Sequence, residues 1–281
     1  MNSKGATFRA LHQQQLLLVM PNPWDAGTAR ILARVGFRAL ATSSAAMAFS
    51  QGLPDGATSQ DDVLVHCKAI VEATQLPVSA DLGRGFGDSP EEAAMTIRMA
   101  ARIGLAGASL EDHSGDRERP IYDFGLAVER IAAAAEAARS LPEDFVLTAR
   151  CENLEWGCGD LEDTIERLQA FEKAGADVLY APRLRNLDEV RSVCKAIAKP
   201  VNVLVGTPGS RFDASKLQAA GVARVSTGSG LARLAFGAFV RAAGEIKALG
   251  NFDVFDDAMA FAELEEFFTD PAAFRPAPHR Q

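Results

Sequence analysis

The feature that most constrains this chain is a pattern that returns four times: a helical stretch ends in glycine, and a short apolar strand follows directly. It reads Arg34-Val35-Gly36-Phe37-Arg38-Ala39-Leu40-Ala41, then Arg102-Ile103-Gly104-Leu105-Ala106-Gly107-Ala108-Ser109-Leu110. It returns as Lys173-Ala174-Gly175-Ala176-Asp177-Val178-Leu179-Tyr180 and as Ala219-Ala220-Gly221-Val222-Ala223-Arg224-Val225-Ser226. A glycine just past a helix end adopts the left-handed conformation that satisfies the last carbonyls. An apolar run without alternation is a strand covered on both faces. Four more strands fit between the copies, which gives eight, near residues 17–22, 38–44, 77–81, 107–111, 145–150, 178–182, 201–206 and 224–228. Helical segments separate them. Ser89-Pro90-Glu91-Glu92 is a capping box with proline at the first helical position, and it predicts a helix to about Ile103. A second helix starts near Asp160 and runs through Ile165, Leu168 and Phe171, and residues 127–139 are alanine-rich and strongly helical.

Alternating strands and helices predict a parallel sheet with right-handed crossovers. A count of eight favours a closed (β/α)8 TIM barrel over an open, doubly wound sheet. The open sheet would carry a glycine-rich turn after its first strand, whereas Pro21-Asn22-Pro23-Trp24-Asp25-Ala26-Gly27 contains no G-x-G-x-x-G. The barrel is expected over residues 1–248, with 249–281 as a C-terminal helical arm and a frayed tail from residue 271. Phe252, Phe255, Phe261, Phe267 and Phe268 stand among acids there. They predict an amphipathic helix that docks on the barrel or on a neighbouring subunit.

A length of 281 residues suits one such domain, and 48% hydrophobic residues excludes wholesale disorder. The balance of 29 basic against 37 acidic residues leaves a net charge of −8, which argues against a nucleic-acid partner. No apolar run approaches the roughly 20 residues of a membrane span. The four cysteines match no zinc or C-x-x-C spacing, so reduced thiols in a cytoplasmic protein are expected.

In a barrel of this kind, functional residues sit at the C-terminal strand ends. Strand 3 ends at Asp81 and strand 4 at Glu111, and two neighbouring acids suffice for Mg²⁺, which keeps several of its waters. Arg150, on strand 5, offers a fork for a carboxylate or phosphonate. Ser44 with the Ala45 and Ala46 amides forms a nest for a second oxyanion. His113 is the histidine placed to move protons near the mouth. Plainer readings exist for each: Asp81 and Ser44 as helix caps, Glu111 and His113 in a solvated loop, Arg150 paired with Glu152. Their coincidence at consecutive strand ends favours a site for a small dianionic oxo acid. Cys151 should point away from Arg150 along its strand and is not expected to act as a nucleophile.

Several segments, in order, resemble the isocitrate lyase/phosphoenolpyruvate mutase superfamily. They are Asn22-Pro23-Trp24-Asp25-Ala26-Gly27-Thr28-Ala29-Arg30, Thr42-Ser43-Ser44-Ala45-Ala46, Gly52-Leu53-Pro54-Asp55-Gly56, Pro77-Val78-Ser79-Ala80-Asp81 and Gly107-Ala108-Ser109-Leu110-Glu111-Asp112. Thr148-Ala149-Arg150, Gly175-Ala176-Asp177, Lys199-Pro200-Val201-Asn202-Val203 and Arg224-Val225-Ser226-Thr227-Gly228 follow, so the resemblance covers residues 7 to about 245. It implies a (β/α)8 barrel whose last helix is often exchanged between subunits of a homodimer or homotetramer. It also implies Mg²⁺ and a stabilised pyruvate enolate. By motif, Asp81 and Glu111 are metal-site acids, Asp55 is an acid near the metal waters, Arg150 is the substrate-anion arginine, and Ser44, Ala45 and Ala46 cradle the substrate carboxylate.

Two departures stand out. The family pattern implies an acid two residues beyond Asp81, and here Gly83 occupies that place, followed by Arg84. Arg84 is either a grip for an extra substrate carboxylate or a solvated loop residue. The lid after strand 4, Asp112-His113-Ser114-Gly115-Asp116-Arg117-Glu118-Arg119-Pro120, lacks the Lys-(Lys/Arg)-Cys-Gly-His run of isocitrate and methylisocitrate lyases. The expected activity is Mg²⁺-assisted cleavage of a C–C bond in a small 2-oxo or 2-hydroxy acid. The alternatives are a C–P mutase or hydrolase, and a degenerate barrel that binds carboxylates without turnover.

Overall fold

The computed structural model describes residues 3–14, 16–207 and 212–269. Eight strands alternate with helices: α1 (Lys4–His12), β1 (Leu18–Met20), α2 (Ala26–Val35), β2 (Leu40–Ala41), α3 (Ser44–Ser50), α4 (Gln60–Ala73), β3 (Val78–Asp81), α5 (Pro90–Arg102), β4 (Gly107–Glu111) and α6 (Phe124–Arg139). There follow β5 (Val146–Arg150), α7 (Asn153–Trp156), α8 (Leu161–Ala174), β6 (Val178–Tyr180), α9 (Leu187–Ala196), β7 (Val201–Leu204), α10 (Ala214–Ala219), β8 (Arg224–Ser226), α11 (Gly230–Leu249) and α12 (Phe261–Thr269). All strand pairs are parallel, in the order β1-β8-β7-β6-β5-β4-β3-β2. The Ala41 amide donates to the Pro21 carbonyl (3.1 Å) and closes the barrel between β1 and β2. This is the (β/α)8 barrel expected from the strand count.

The four recurring glycines behave as their pattern requires. Gly36, Gly104, Gly175 and Gly221 have φ of +102°, +87°, +110° and +96°. Helix starts are equally local: Asp25, Ser59, Ser89 and Asp160 each form a reciprocal capping box, worth about 1 kcal/mol per cap. Strand β4 has the range expected, and the others are shorter, most of all β2. Residues 43 and 44 turn away from β3 because Ser43 takes the N-cap of α3, its hydroxyl accepting from the Ala46 amide.

The short helices α1 and α7 add to the elements expected from the sequence. Helix α1 lies across the N-terminal end of the barrel, with Phe8 fully buried beside Gly107, where a side chain would meet Val146 O at 2.5 Å and Phe8 at 2.9 Å. Above it, Arg224 spans the barrel interior. Its Nε donates to Asn202 Oδ1 (2.8 Å) and its Nη2 to Thr148 Oγ1 (3.1 Å), and Nη1 meets His12 Nε2 at 3.4 Å. At the other end of the chain, α12 docks on α2 through the buried Phe267. Along α11 only Ala232 is buried, and Leu234, Phe239 and Val240 are exposed. The frayed tail expected from residue 271 lies outside the described residues. No helix among the described residues is long and apolar enough to cross a membrane.

Candidate active site

The ends of β3, β4 and β5 are in register: Asp81 pairs with Ser109, and Glu111 with Arg150. Three carboxylates therefore converge on one guanidinium. Arg150 Nη1 lies 3.2 Å from Glu111 Oε2 and 3.7 Å from Asp81 Oδ1, and Nε donates to Glu152. The Arg150 side chain is 20% exposed and sits over the Tyr180 ring, 5.2 Å from its centroid. Burial, Glu152 and Asp81 push the Glu111 carboxyl well above the usual carboxylate range, against the pull of Arg150. Glu152 moves the same way, again through burial first. The Arg150 guanidinium is held charged: burial opposes this, but Glu111, Glu152 and Asp81 outweigh it.

The mouth thus carries more acid than base. Asp81 and Glu111 face a common point, and both retain oxygens not engaged by Arg150. Asp81 Oδ2 accepts from the Ser44 amide (3.1 Å). A Cβ at Gly83 would stand 3.6 Å from Glu111 Oε1 in otherwise open space, at a φ of +53°. Among the described residues no group of three or more Asp, Glu, His or Cys side chains forms a metal cage. The residues fit a magnesium ion held by one or two carboxylates with water completing its shell.

The other expected residues surround this cluster. Asp55 lies on the loop after α3; burial and the Asp81 charge raise its carboxyl, and the Ser44 hydroxyl and the Gly56 amide oppose the rise. Of the three nest amides, Ser44 N serves Asp81 and Ala46 N serves Ser43, so the Ala45 amide is the one presented at the start of α3. His113 is half-buried and stacks face to face on Trp156, with centroids 4.4 Å apart and planes at 8°. Burial, Arg84 and Arg150 all lower its pKa. Arg84 turns to the lid, donating to Asp88, to Ser114 O (3.1 Å) and to Tyr122 Oη (3.4 Å). Cys151 is buried beside Asn153, and burial drives its thiol well up, which leaves it inert.

Sequence reasoning missed Trp156, Tyr180 and the base of the lid. Asp112 is buried, accepts from the Glu152 amide (2.7 Å) and pairs with Arg167 (3.2 Å). The only sequence signal was Asp112 beside Glu111, which also fits a solvated loop.

The whole barrel matches the phosphoenolpyruvate phosphomutase family model, over residues 8–247. The chain belongs to this family, within the isocitrate lyase/phosphoenolpyruvate mutase superfamily. It is 32% identical over 233 residues to the 2-methylisocitrate lyase of Escherichia coli (strain K12), covering 79% of this chain and 77% of that one. A solved structure from Burkholderia cenocepacia J2315, provisionally named a lyase/mutase, is 50% identical with a TM-score of 0.93, covering 95% of this chain and 96% of that one. Oxaloacetate acetylhydrolase, solved with its product oxalate, superposes at a TM-score of 0.85 and 27% identity, covering 94% and 93%.

Proposed function

We propose that the protein is a magnesium-assisted lyase that cleaves a C–C bond of a small 2-oxo or 2-hydroxy carboxylic acid by way of a pyruvate enolate. The observation that carries this reading is the acid surplus around Arg150 at three adjacent strand ends. Asp81 and Glu111 are the groups that would hold magnesium, and the ion would supply a Lewis acid beside the substrate oxygens. Arg150 holds the substrate carboxylate and keeps its charge because three acids surround it. A preorganised cation of this kind stabilises negative charge as it develops on the enolate oxygen. The Ala45 amide, beside Ser44 and Ala46, receives a second carboxylate oxygen. Asp55 and His113 flank the mouth from opposite loops as the proton-handling groups. Arg84 is engaged with the lid, so carboxylate recognition rests on Arg150.

Gly83 favours a second reading, a barrel that binds carboxylates without turnover, because it removes one acid from the metal side. C–P bond cleavage or transfer is the enzymatic alternative. As to assembly, α11 stands off the barrel with apolar residues exposed, which supports a homodimer or homotetramer built on that helix. Titration calorimetry with oxalate, a planar mimic of the enolate, separates binding from its absence. Oxalate should bind only when Mg²⁺ is present, and Asp81→Ala should abolish this. A screen of 2-oxo and 2-hydroxy acids should then show Mg²⁺-dependent pyruvate release. Metal-dependent oxalate binding without any turnover would support the binding barrel. Oxalate binding indifferent to Mg²⁺ would sink the lyase reading.

A further inference from the structure

The lid between β4 and α6 is an ordered hairpin. His113 bridges to Ile121, the Ser114 amide donates to Pro120 O (2.7 Å), and the Tyr122 amide donates to Asp112 O (2.9 Å). Its base is anchored by Arg167, which donates to both Asp112 and the Tyr122 carbonyl. A second set of side chains ties the lid to the loop after β3. The Tyr122 hydroxyl donates to Asp88 Oδ1 (2.6 Å), and Arg84 reaches Asp88, Tyr122 Oη and Ser114 O together. Gly115 is at φ +83° directly against the Arg84 guanidinium, where a Cβ would meet Nε at 3.2 Å.

The loop that presents Arg84 and Asp88 is itself rigid. Arg130, 1% exposed on α6, donates to Gly87 O (2.8 Å) and to Arg84 O, and its guanidinium covers the Tyr122 ring at 4.5 Å. So the loop after β3 is fixed from α6, and the lid is fixed to that loop by the buried Tyr122 and by the partly exposed Arg84 and Asp88. A groove of about 450 Å³, lined by Pro120, Tyr122, Asn153 and Arg167 among others, borders the return leg.

We propose that Arg84, with Asp88 and Tyr122, is the latch that holds this lid against the mouth, and that Arg84 is therefore a positioning residue that sets how fast a small carboxylate enters and leaves. The proposal rests on the lyase reading only for the identity of the ligand. In the latch the Arg84 and Asp88 side chains are 38% and 69% exposed, and surface ion pairs of this kind hold weakly. At the base Asp112 and Arg167 are 2% and 17% exposed. Opening then swings the hairpin about its Asp112–Tyr122 end and carries His113 off Trp156.

Hydrogen exchange of the full-length protein, free of ligand, tests this directly. Arg84→Met should speed exchange of the amides of residues 113–121 by about tenfold, the loss of one or two such bonds, with α5 and α6 unchanged. Tyr122→Phe, which keeps the ring under Arg130, should give a smaller rise confined to the same segment, and Arg84→Lys should restore part of the protection. Stopped-flow fluorescence with Mg²⁺ and oxalate, read from the tryptophans, should show both association and dissociation faster in Arg84→Met while Kd changes less than either rate. Unchanged lid exchange in both Arg84→Met and Tyr122→Phe, or a rise spread equally over α5 and α6, would overturn the latch. Failure of oxalate to bind the unaltered protein would count against the lyase reading, and the exchange measurement would still decide the latch.

Discussion

Two arginines stand inside this barrel, one at each end, and they are supported in opposite ways. Arg150 at the C-terminal mouth faces three carboxylates, Asp81, Glu111 and Glu152. Arg224 near the N-terminal floor has Asn202, Thr148 and His12 as its hydrogen-bonding partners, all neutral. Burial pushes the Arg224 guanidinium down to about 10, whereas the acids hold Arg150 firmly charged. The floor is balanced by geometry alone, every arm of the fork meeting a neutral group. The mouth sets three acidic groups around one guanidinium, and the raised Glu111 and Glu152 carboxyls can give up protons to an incoming cation. One residue type thus serves as a brace at one end and as a receptor at the other.

The largest effect should come from removing each arginine in turn. Arg150→Met strands three buried or half-buried acids, and chemical denaturation should show a loss of about 3–5 kcal/mol that eases as pH falls and the acids take up protons. Oxalate binding should vanish with it. Arg224→Met strands only neutral groups, so a loss of about 1–3 kcal/mol is expected, with oxalate affinity unchanged. Equal losses from the two substitutions would erase the distinction between the ends.

An intermediate effect should appear in acid. Burial and the Arg224 charge lower the His12 pKa from an ordinary 6.5 to about 3. The unfolded chain therefore binds a proton that the folded chain refuses. Stability should fall as pH drops from about 6.5 towards 3, by at most about 1.4 kcal/mol for each pH unit from this one group. Denaturation midpoints across that range should flatten in His12→Gln if the floor is their source. The smallest effect belongs to Gly83→Glu. The new carboxylate would enter beside Glu111 and tighten Mg²⁺ by a few-fold in titration calorimetry, offset by roughly 1 kcal/mol of left-handed backbone strain. No gain in Mg²⁺ affinity would mean that the acid missing at position 83 does not limit metal binding.

The barrel was legible because its signals are local. The glycines at 36, 104, 175 and 221 and the capping box at Ser89 are decided within one turn of chain, and the structure bears each of them out. Asp81, Glu111 and Arg150 were found from their strand ends, and the structure brings them together. The pairing of Arg150 with Glu152, weighed as an alternative to a site, is also present, and it forms part of the same cluster. What sequence could not show are contacts between distant segments. Trp156 meets His113, Arg130 staples the loop after β3, and Arg84 turns to Asp88 and Tyr122. Helix α1 was hidden for the same reason: its nine residues owe their place to what Phe8 and His12 pack against.

Asn22 clasps the join between the first and second strands. Its Nδ2 donates to Thr42 O (2.8 Å), and its Oδ1 accepts from the Thr227 and Gly228 amides (3.0 and 2.9 Å). Between β4 and β5, by contrast, five consecutive residues pair. The ring therefore has a stout side and a thin one, and the thin one is held by one backbone bond and a single side chain. Unwinding of the cylinder would start there, and the strands that carry the acids would be the last to part.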